Sequence, residues 1–180
     1  MGVNLHTIMR KIKVNVYKIH ELSEEAKKIA IESITKKYYE EKAKNNIEVA
    51  LETIDHIQFL TGVTGEMKRY DYGWDTILIK TEYKDLPFYV DDLGYWQYAI
   101  SKINEMTIDT WADKWFKKHI NSYTPQPRYS YERNMADVYW TFLSEVDDID
   151  LTLITTNEDI IKFAQDEQLE FLSTGKPYLI

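Results

Sequence analysis

Residues 11–32 read KIKVNVYKIHELSEEAKKIAIE and change from a strand pattern to a helix pattern. Ile12, Val14 and Val16 alternate with polar residues, which is the period of a strand with one buried face. Ser23 can then accept from the free N–H groups of a new helix, and two glutamates follow it where the helix dipole favours negative charge. This stretch predicts a strand, a short turn and a helix that begins after Ser23.

The periodicity of the remaining chain predicts further helices and a few short strands. A polar run that ends in Asn45 and Asn46 predicts a break or a kink. A second helix is predicted after it, with an apolar face that includes Phe59 and with Gly62 and Gly65 as stop signals. The middle of the chain predicts a hairpin around residues 72–75, a helix over about 93–119 and an exposed loop at 121–130. Asp91 and Asp92 can cap that helix, and an interruption is expected near 104–107. The last part predicts a helix over 131–146, a short strand near 151–154, a helix whose start has a capping box of Thr156 and Asp159, and a last hairpin that turns near Gly175.

These elements predict the fold class. A chain of 180 residues with 44% hydrophobic content can bury one good core, so we expect a single domain over residues 1–180. We expect an α+β fold, in which an antiparallel sheet includes the N-terminal strand and the C-terminal hairpin and is packed by several helices on one side.

The composition excludes several classes of protein. The chain has no cysteine, which removes disulfides, thiolate nucleophiles and cysteine zinc sites. No run of about 18 apolar residues occurs, and the first residues lack the apolar core of a signal peptide. We therefore expect no membrane partner and a cytoplasmic location.

The net charge of −8 is unevenly distributed along the sequence. From residue 137 onward the chain has ten acidic residues against two lysines, a local charge of −8. Such a protein is expected not to bind free duplex DNA, because affinity for DNA depends on neutralised phosphates. The acidic residues either keep the protein soluble or meet a basic partner. The candidate partner-binding residues are Asp147, Asp148 and Asp150.

An unusual number of aromatic residues lies between positions 70 and 98. Aromatic rings can stack on the bases of single-stranded nucleic acid. Five aspartates interleave with them, however, and would repel a phosphate backbone. We therefore expect core packing and a protein-binding surface from this segment.

No motif for phosphate, dinucleotide or zinc-helix binding occurs, so we expect no cofactor and no metal. Metal-free RNA cleavage needs a base and a cation close together. The N-terminal segment has both, with weak catalytic candidates in His6 and His20. The alternative is that these are exposed residues of an edge strand, where lysines block aggregation. The candidate RNA-binding residues are Arg10, Lys11, Lys13 and Lys18, a local charge of +4 within residues 1–20.

Both ends of the chain resemble a known group of proteins. Residues 17–32, YKIHELSEEAKKIAIE, resemble the opening of a loosely defined group of small phage and prophage proteins, with a strand, Tyr-x-x-x-Glu-Leu-Ser-x-x-Ala-Lys and a helix. The end from Ile160, IIKFAQDEQLEFLSTGKPYLI, resembles that group's close. The two segments cover about a fifth of the chain. The group's Gly-rich central motif is absent, and RYDYGWD stands at residues 69–75 instead.

The resemblance implies an accessory protein of a mobile element. Members of the group are mostly uncharacterised or described as antitoxin-like, and some proteins of this size on mobile elements are anti-CRISPR proteins. We therefore expect an inhibitor of a host defence system, in the first place an anti-CRISPR protein acting on the type II RNA-guided nuclease or its guide RNA, by binding or by effector-dependent truncation of that RNA. The alternative is an antitoxin-like or regulatory module that neutralises a basic partner. A third class, an independent enzyme, has no support, because the sequence contains no recognisable catalytic motif.

Overall fold

The computed structural model describes residues 13–70, 73–81 and 91–178, and this part of the chain is mostly helical. The predicted α+β fold is therefore wrong. The described elements are α1 (Glu24–Thr61), β1 (Val63–Tyr70), β2 (Gly73–Thr81), α2 (Asp92–Glu105), α3 (Trp111–Ser122), α4 (Tyr131–Asp147) and α5 (Asn157–Asp166), with 3-10 turns at Ile19–Glu21 and Leu151–Leu153. No helix in the described ranges is long and apolar enough to cross a membrane.

The chain divides into two compact units. The terminal unit contains the described residues 13–41 and 151–178, and the central unit contains residues 42–150. Helix α1 contributes its first part to the terminal unit and the rest to the central unit. Two compact units do not by themselves make two domains, so the expectation of one domain stays a prediction.

Helix α1 begins where the sequence predicted. The Ala26 N–H donates to Ser23 Oγ at 3.3 Å, which confirms Ser23 as the N-cap. The helix ends at Thr61, and Gly62 follows with a φ of 71°, a left-handed conformation that glycine adopts without a steric penalty.

The predicted break at Asn45 and Asn46 is wrong, because α1 is continuous over 38 residues. Asparagine costs an interior helical position less than about 0.7 kcal/mol relative to alanine, and Asn46 is buried, so packing outweighs propensity here. The set of buried helix positions changes at the polar run. The buried apolar positions are Ala26, Ala30, Ile34 and Tyr38 before it and Ile47, Ala50, Ile54 and Ile57 after it.

The terminal unit has its own core, in which residues from α1 and α5 pack around Phe171. Tyr17 and Phe171 exchange two backbone hydrogen bonds of 2.9 Å, and Phe171 also pairs with Pro177. These are isolated bridges, and residues 13–16 form no strand, so the predicted N-terminal strand and C-terminal hairpin do not build a sheet. Val14 is exposed, since this core is filled by helical side chains instead.

Gly175 holds the C-terminal turn against helix α1. Its φ is +84°, and a Cβ at this position would overlap the backbone carbonyl oxygen of Ala26. The turn is closed by the Gly175 N–H, which donates to the Leu172 carbonyl at 2.9 Å. Glycine is therefore required here both by the backbone conformation and by the close approach to the helix.

The central unit contains the hairpin and helices α2, α3 and α4. Strands β1 and β2 pair antiparallel, which confirms that a hairpin forms. Its turn was predicted at residues 72–75, but Gly73, Trp74 and Asp75 already pair in β2, with Tyr70 opposite Gly73, so that position is wrong. Residues 71 and 72 lie outside the described residues. The interruption predicted near 104–107 is also confirmed, because α2 ends at Glu105 and α3 begins at Trp111. Helix α4 is confirmed, and its inward residues Met135, Val138, Tyr139, Phe142 and Leu143 are fully buried.

Two expectations about apolar residues are wrong. Phe59, predicted on the buried face of α1, is 84% exposed. The strand predicted near 151–154 is a 3-10 turn in which Leu153 is 81% exposed. The helix after Thr156 is confirmed, because Thr156 and Asp159 form the predicted capping box.

Candidate functional site

The predicted RNA-binding residues divide at the boundary of the described chain. His6, Arg10 and Lys11 lie outside the described residues. Lys13 is exposed and so is His20, which lies in the first 3-10 turn. The structure therefore shows only part of this candidate site.

Lys18 is used within the terminal unit. Its Nζ donates to the Gln168 carbonyl at 2.8 Å and lies 3.2 Å from Glu170 Oε1. This ammonium group joins the N-terminal segment to the C-terminal segment, and Glu170 already balances its charge. Lys18 is thus a structural residue as well as a candidate RNA contact.

The predicted partner-binding acids lie at the C-terminal end of α4. Asp147 is the last residue of the helix, Asp148 is its exposed C-cap, and Asp150 is exposed two residues further on. The last turn contains no basic residue. The partial negative charge of a helix C-terminus adds to that of the carboxylates, so negative potential is concentrated here. We call these three residues the α4 acidic end.

The acidic stretch from residue 137 onward is not one surface of one unit. Its ten acids divide equally, five in the central unit and five in the terminal unit. The central unit as a whole has 19 acidic and 12 basic residues, a net charge of −7, whereas residues 13–41 and 151–178 have 11 acidic and 8 basic residues, a net charge of −3. The negative charge belongs mainly to the central unit.

A histidine and a glutamate pair next to the α4 acidic end. His119 Nδ1 in the last turn of α3 lies 3.5 Å from Glu145 Oε2 in the last turn of α4. His119 Nε2 is buried and has no hydrogen-bond partner among the described residues. The described residues contain no group of three or more His, Cys, Asp or Glu side chains that could hold a metal ion. The pair therefore lacks the third ligand that a metal centre needs.

Asn134 orders the loop between α3 and α4. Its Oδ1 accepts from the Gln126 N–H at 2.7 Å, and its Nδ2 donates to the carbonyls of Gln126, Tyr129 and Ser130. Asn134 is itself buried, so these bonds satisfy an amide that has little access to water. Pro125 and Pro127 further restrict the loop, because proline fixes φ.

This loop and the first turn of α2 enclose a groove of about 290 Å³. We call it the α2 groove. Its walls include Leu93, Pro125, Pro127 and Tyr129, and Asp91 and Asp92 are the charged residues that line it.

The two aspartates of the α2 groove are held by backbone hydrogen bonds. Asp91 Oδ1 accepts from the Gly94 N–H at 2.9 Å, which confirms Asp91 as the predicted cap of α2. Asp92 Oδ1 accepts from the Tyr131 N–H at 3.0 Å and so links the start of α2 to the start of α4. Both carboxylates therefore have a set orientation and one further oxygen each.

Two buried groups have shifted pKa values but serve the fold. Burial favours the neutral form of Asp113, yet hydrogen bonds from Thr53, Thr110 and Asp109 outweigh it and lower the pKa of this carboxyl. Burial also raises the pKa of Tyr139, whose hydroxyl donates to the Val63 carbonyl at 3.5 Å. Neither group reaches a surface where a substrate could bind.

Two aromatic residues of the 70–98 segment, Tyr95 and Trp96, pack against other rings of the central unit. The Tyr95 ring stacks on Tyr131 at 5.8 Å, and the buried Trp96 lies 5.3 Å from the Tyr123 ring. These two contacts agree with the expectation of core packing, while Tyr72, Phe88 and Tyr89 lie outside the described residues.

Comparison with known proteins finds no matching family model, no matching characterised protein and no matching solved structure. The resemblance of the terminal segments to phage and prophage proteins therefore stays a prediction. The α2 groove was not predicted as a site. The sequence indicated only a helix-capping role for Asp91 and Asp92. Asn134 lies some 40 residues away, and no motif in the sequence links it to them.

Proposed function

We propose that the protein is a protein-binding inhibitor, used by a mobile element in the cytoplasm of a host bacterium against a defence system. The proposed target is the type II RNA-guided nuclease or the guide RNA that it holds. The observation that supports binding to a basic partner is the charge of −7 on the central unit, with the α4 acidic end at a helix C-terminus that lacks a basic residue. The choice of partner comes from the resemblance of the terminal segments.

The charge of the central unit suits a protein that is steered to its partner by electrostatics. Acidic groups concentrated at one place raise the rate of encounter with a basic surface, such as a nucleic-acid channel. The partial negative charge at the C-terminus of α4 adds to this attraction. Exposed charges act within a Debye length of roughly 10 Å at 0.1 M salt, so the association rate should fall as salt is added.

Binding is a better supported action than RNA cleavage. Lys18 is paired with Glu170, and its ammonium would have to leave that partner to hold a phosphate. His20 is exposed in a turn, where the described residues offer no hydrogen-bond partner that would orient it as a base. Truncation of the guide RNA by the N-terminal residues remains the second mode of action to be tested.

The antitoxin-like alternative depends on the same acidic surface. The two functions differ in the partner, since an antitoxin neutralises a toxin made beside it, whereas the proposed inhibitor acts on a nuclease of the host. A direct assay with the purified nuclease separates them.

The test measures association with a type II nuclease loaded with guide RNA and its cleavage of target DNA. We expect the protein to bind the complex and reduce cleavage. The triple variant Asp147→Lys/Asp148→Lys/Asp150→Lys should associate more slowly, with a larger effect at low salt than at high salt. The matched control reverses the charge of three exposed acidic residues of the terminal unit by replacing Glu158, Asp166 and Glu167 with lysine. Equal association rates for the triple variant and wild type at both salts would refute the role of the α4 acidic end.

The same reactions test the RNA route. Labelled guide RNA is incubated with the protein, with and without the nuclease, and compared with Arg10→Ala/Lys11→Ala/Lys13→Ala. RNA that stays full length and nuclease-bound in every reaction excludes this route. Shortening that survives the triple substitution would move the chemistry to other residues, with His6 and His20 tested next.

A further inference from the structure

We infer that the α2 groove binds an arginine side chain of a basic protein partner. The class of partner rests on the proposed function, but the groove itself can be tested without that partner. The inference depends on the charge of the lining, on the shape of the walls and on the rigidity of the loop that forms one side.

The lining of the groove is complementary to a cation. Among the described residues, its lining contains two carboxylates, of Asp91 and Asp92, and no basic side chain. One oxygen of each carboxylate accepts a hydrogen bond from a backbone N–H. Neither carboxylate forms an ion pair with a basic residue in the described part of the chain. The second oxygens are therefore available to a guanidinium, whose five donors in a planar fork suit two neighbouring carboxylates better than an ammonium does.

The walls suit the apolar stem of the same side chain. Leu93 is 55% exposed, and Pro125 and Pro127 form the facing side. Arginine can lay its methylene groups along such a surface while its charged end meets the carboxylates. A volume of about 290 Å³ is at the lower limit of pockets that hold drug-sized ligands, roughly 300–1,000 Å³, which favours a single side chain over a cofactor.

The groove is organised before a ligand arrives. Asn134 holds the Gln126 and Tyr129 backbone from inside the loop, and Asp92 ties α2 to the first residue of α4. A site that needs little ordering loses less conformational entropy when it binds. The contact can therefore add affinity although it involves only one side chain.

Arg128, which lies beside the groove, provides a further test of the inference. Arg128 and Arg133 lie 5.2 and 5.7 Å from the centre of the Tyr129 ring, and Arg133 is paired with Asp137 at 3.4 Å. No ion pair to a described residue neutralises Arg128 in the same way. Its charge opposes an incoming arginine, so Arg128→Gln should bind the ligand more tightly than wild type does.

The experiment titrates the whole 180-residue chain with the capped peptide acetyl-Gly-Arg-Gly-amide and follows backbone amides by NMR. The control peptide has citrulline, the neutral isostere, in place of arginine. We expect shift changes at Leu93, Gly94 and Gln126, and weakening by at least about tenfold in Asp91→Asn/Asp92→Asn. Asparagine keeps the acceptor oxygen for both backbone N–H groups, so the fold should be retained. The matched control Asp55→Asn/Asp109→Asn loses the same charge at two exposed positions elsewhere in the central unit and should bind as wild type does.

The inference would be overturned by equal binding of the citrulline peptide, by equal binding of a second control peptide with lysine in place of arginine, or by full binding of the arginine peptide to Asp91→Asn/Asp92→Asn. Self-association of the protein that this double variant abolishes would assign the groove to a second copy of the chain and would also overturn it. Nuclease inhibition that the double variant retains would refute the groove and leave the proposed function standing. If the protein binds the arginine peptide but neither binds nor inhibits the nuclease, the groove stands and the proposed function is refuted.

Discussion

Replacing Gly175 with alanine tests the arrangement of the terminal unit. The residue has a φ of +84°, which costs a residue with a Cβ roughly 1–2 kcal/mol. The new Cβ would also overlap the Ala26 carbonyl, which belongs to a helix backbone and cannot turn away as a side chain would. Overpacking of this kind typically costs about 1–3 kcal/mol. We therefore expect Gly175→Ala to lower the free energy of unfolding by about 2–5 kcal/mol.

The assay is urea unfolding followed by far-UV circular dichroism, with hydrogen exchange of the Tyr17 and Phe171 amides. These amides donate to each other's carbonyls and report on the packing of the terminal unit directly. Tryptophan fluorescence serves as a separate probe, because all five tryptophans lie in the central unit.

Two control variants separate the contributions. Thr174→Ala, at an exposed position of the same turn, should change little. Gly62→Ala has a comparable φ of 71° and should lose about 1 kcal/mol from backbone conformation alone. An unfolding midpoint and exchange rates that stay unchanged in Gly175→Ala would show that the turn does not lie against α1 as described.

Two further predictions concern the helix ends. Ser23→Ala should lower the free energy of unfolding by about 1 kcal/mol, because the Ala26 N–H loses its acceptor; an unmoved urea midpoint would contradict this. The lowered pKa of Asp113 means that its contribution to stability is present above the unfolded value of about 3.9 and is lost as the pH falls through the lower folded value. Thermal melts between about pH 7 and pH 3 should therefore show a smaller acid destabilisation for Asp113→Asn than for wild type, and equal slopes would refute the assignment.

Local signals in the sequence determined the helix ends. Ser23, Asp91 and Thr156 each act on a backbone N–H three residues later, so their role depends on a few neighbours and can be read without the fold. The candidate partner-binding residues were predicted in the same local way. Asp147 and Asp148 end the helix that the periodicity predicted, Asp150 follows two residues later, and their charge is a property of composition.

Only the tertiary structure decided which apolar residues are buried and whether strands pair. Val14 and Val16 have a strand pattern, but a strand needs a distant partner. In the described residues, the neighbouring backbone supplies only isolated bridges, from Tyr17 to Phe171 and from Phe171 to Pro177. The α2 groove is decided in the same way. Its aspartates and its proline loop lie more than thirty residues apart, and they meet because Asp92 and Asn134 hold α2, the loop and α4 together. Local capping energies are encoded within one helical turn, whereas pairing and burial depend on contacts between residues that are far apart in the sequence.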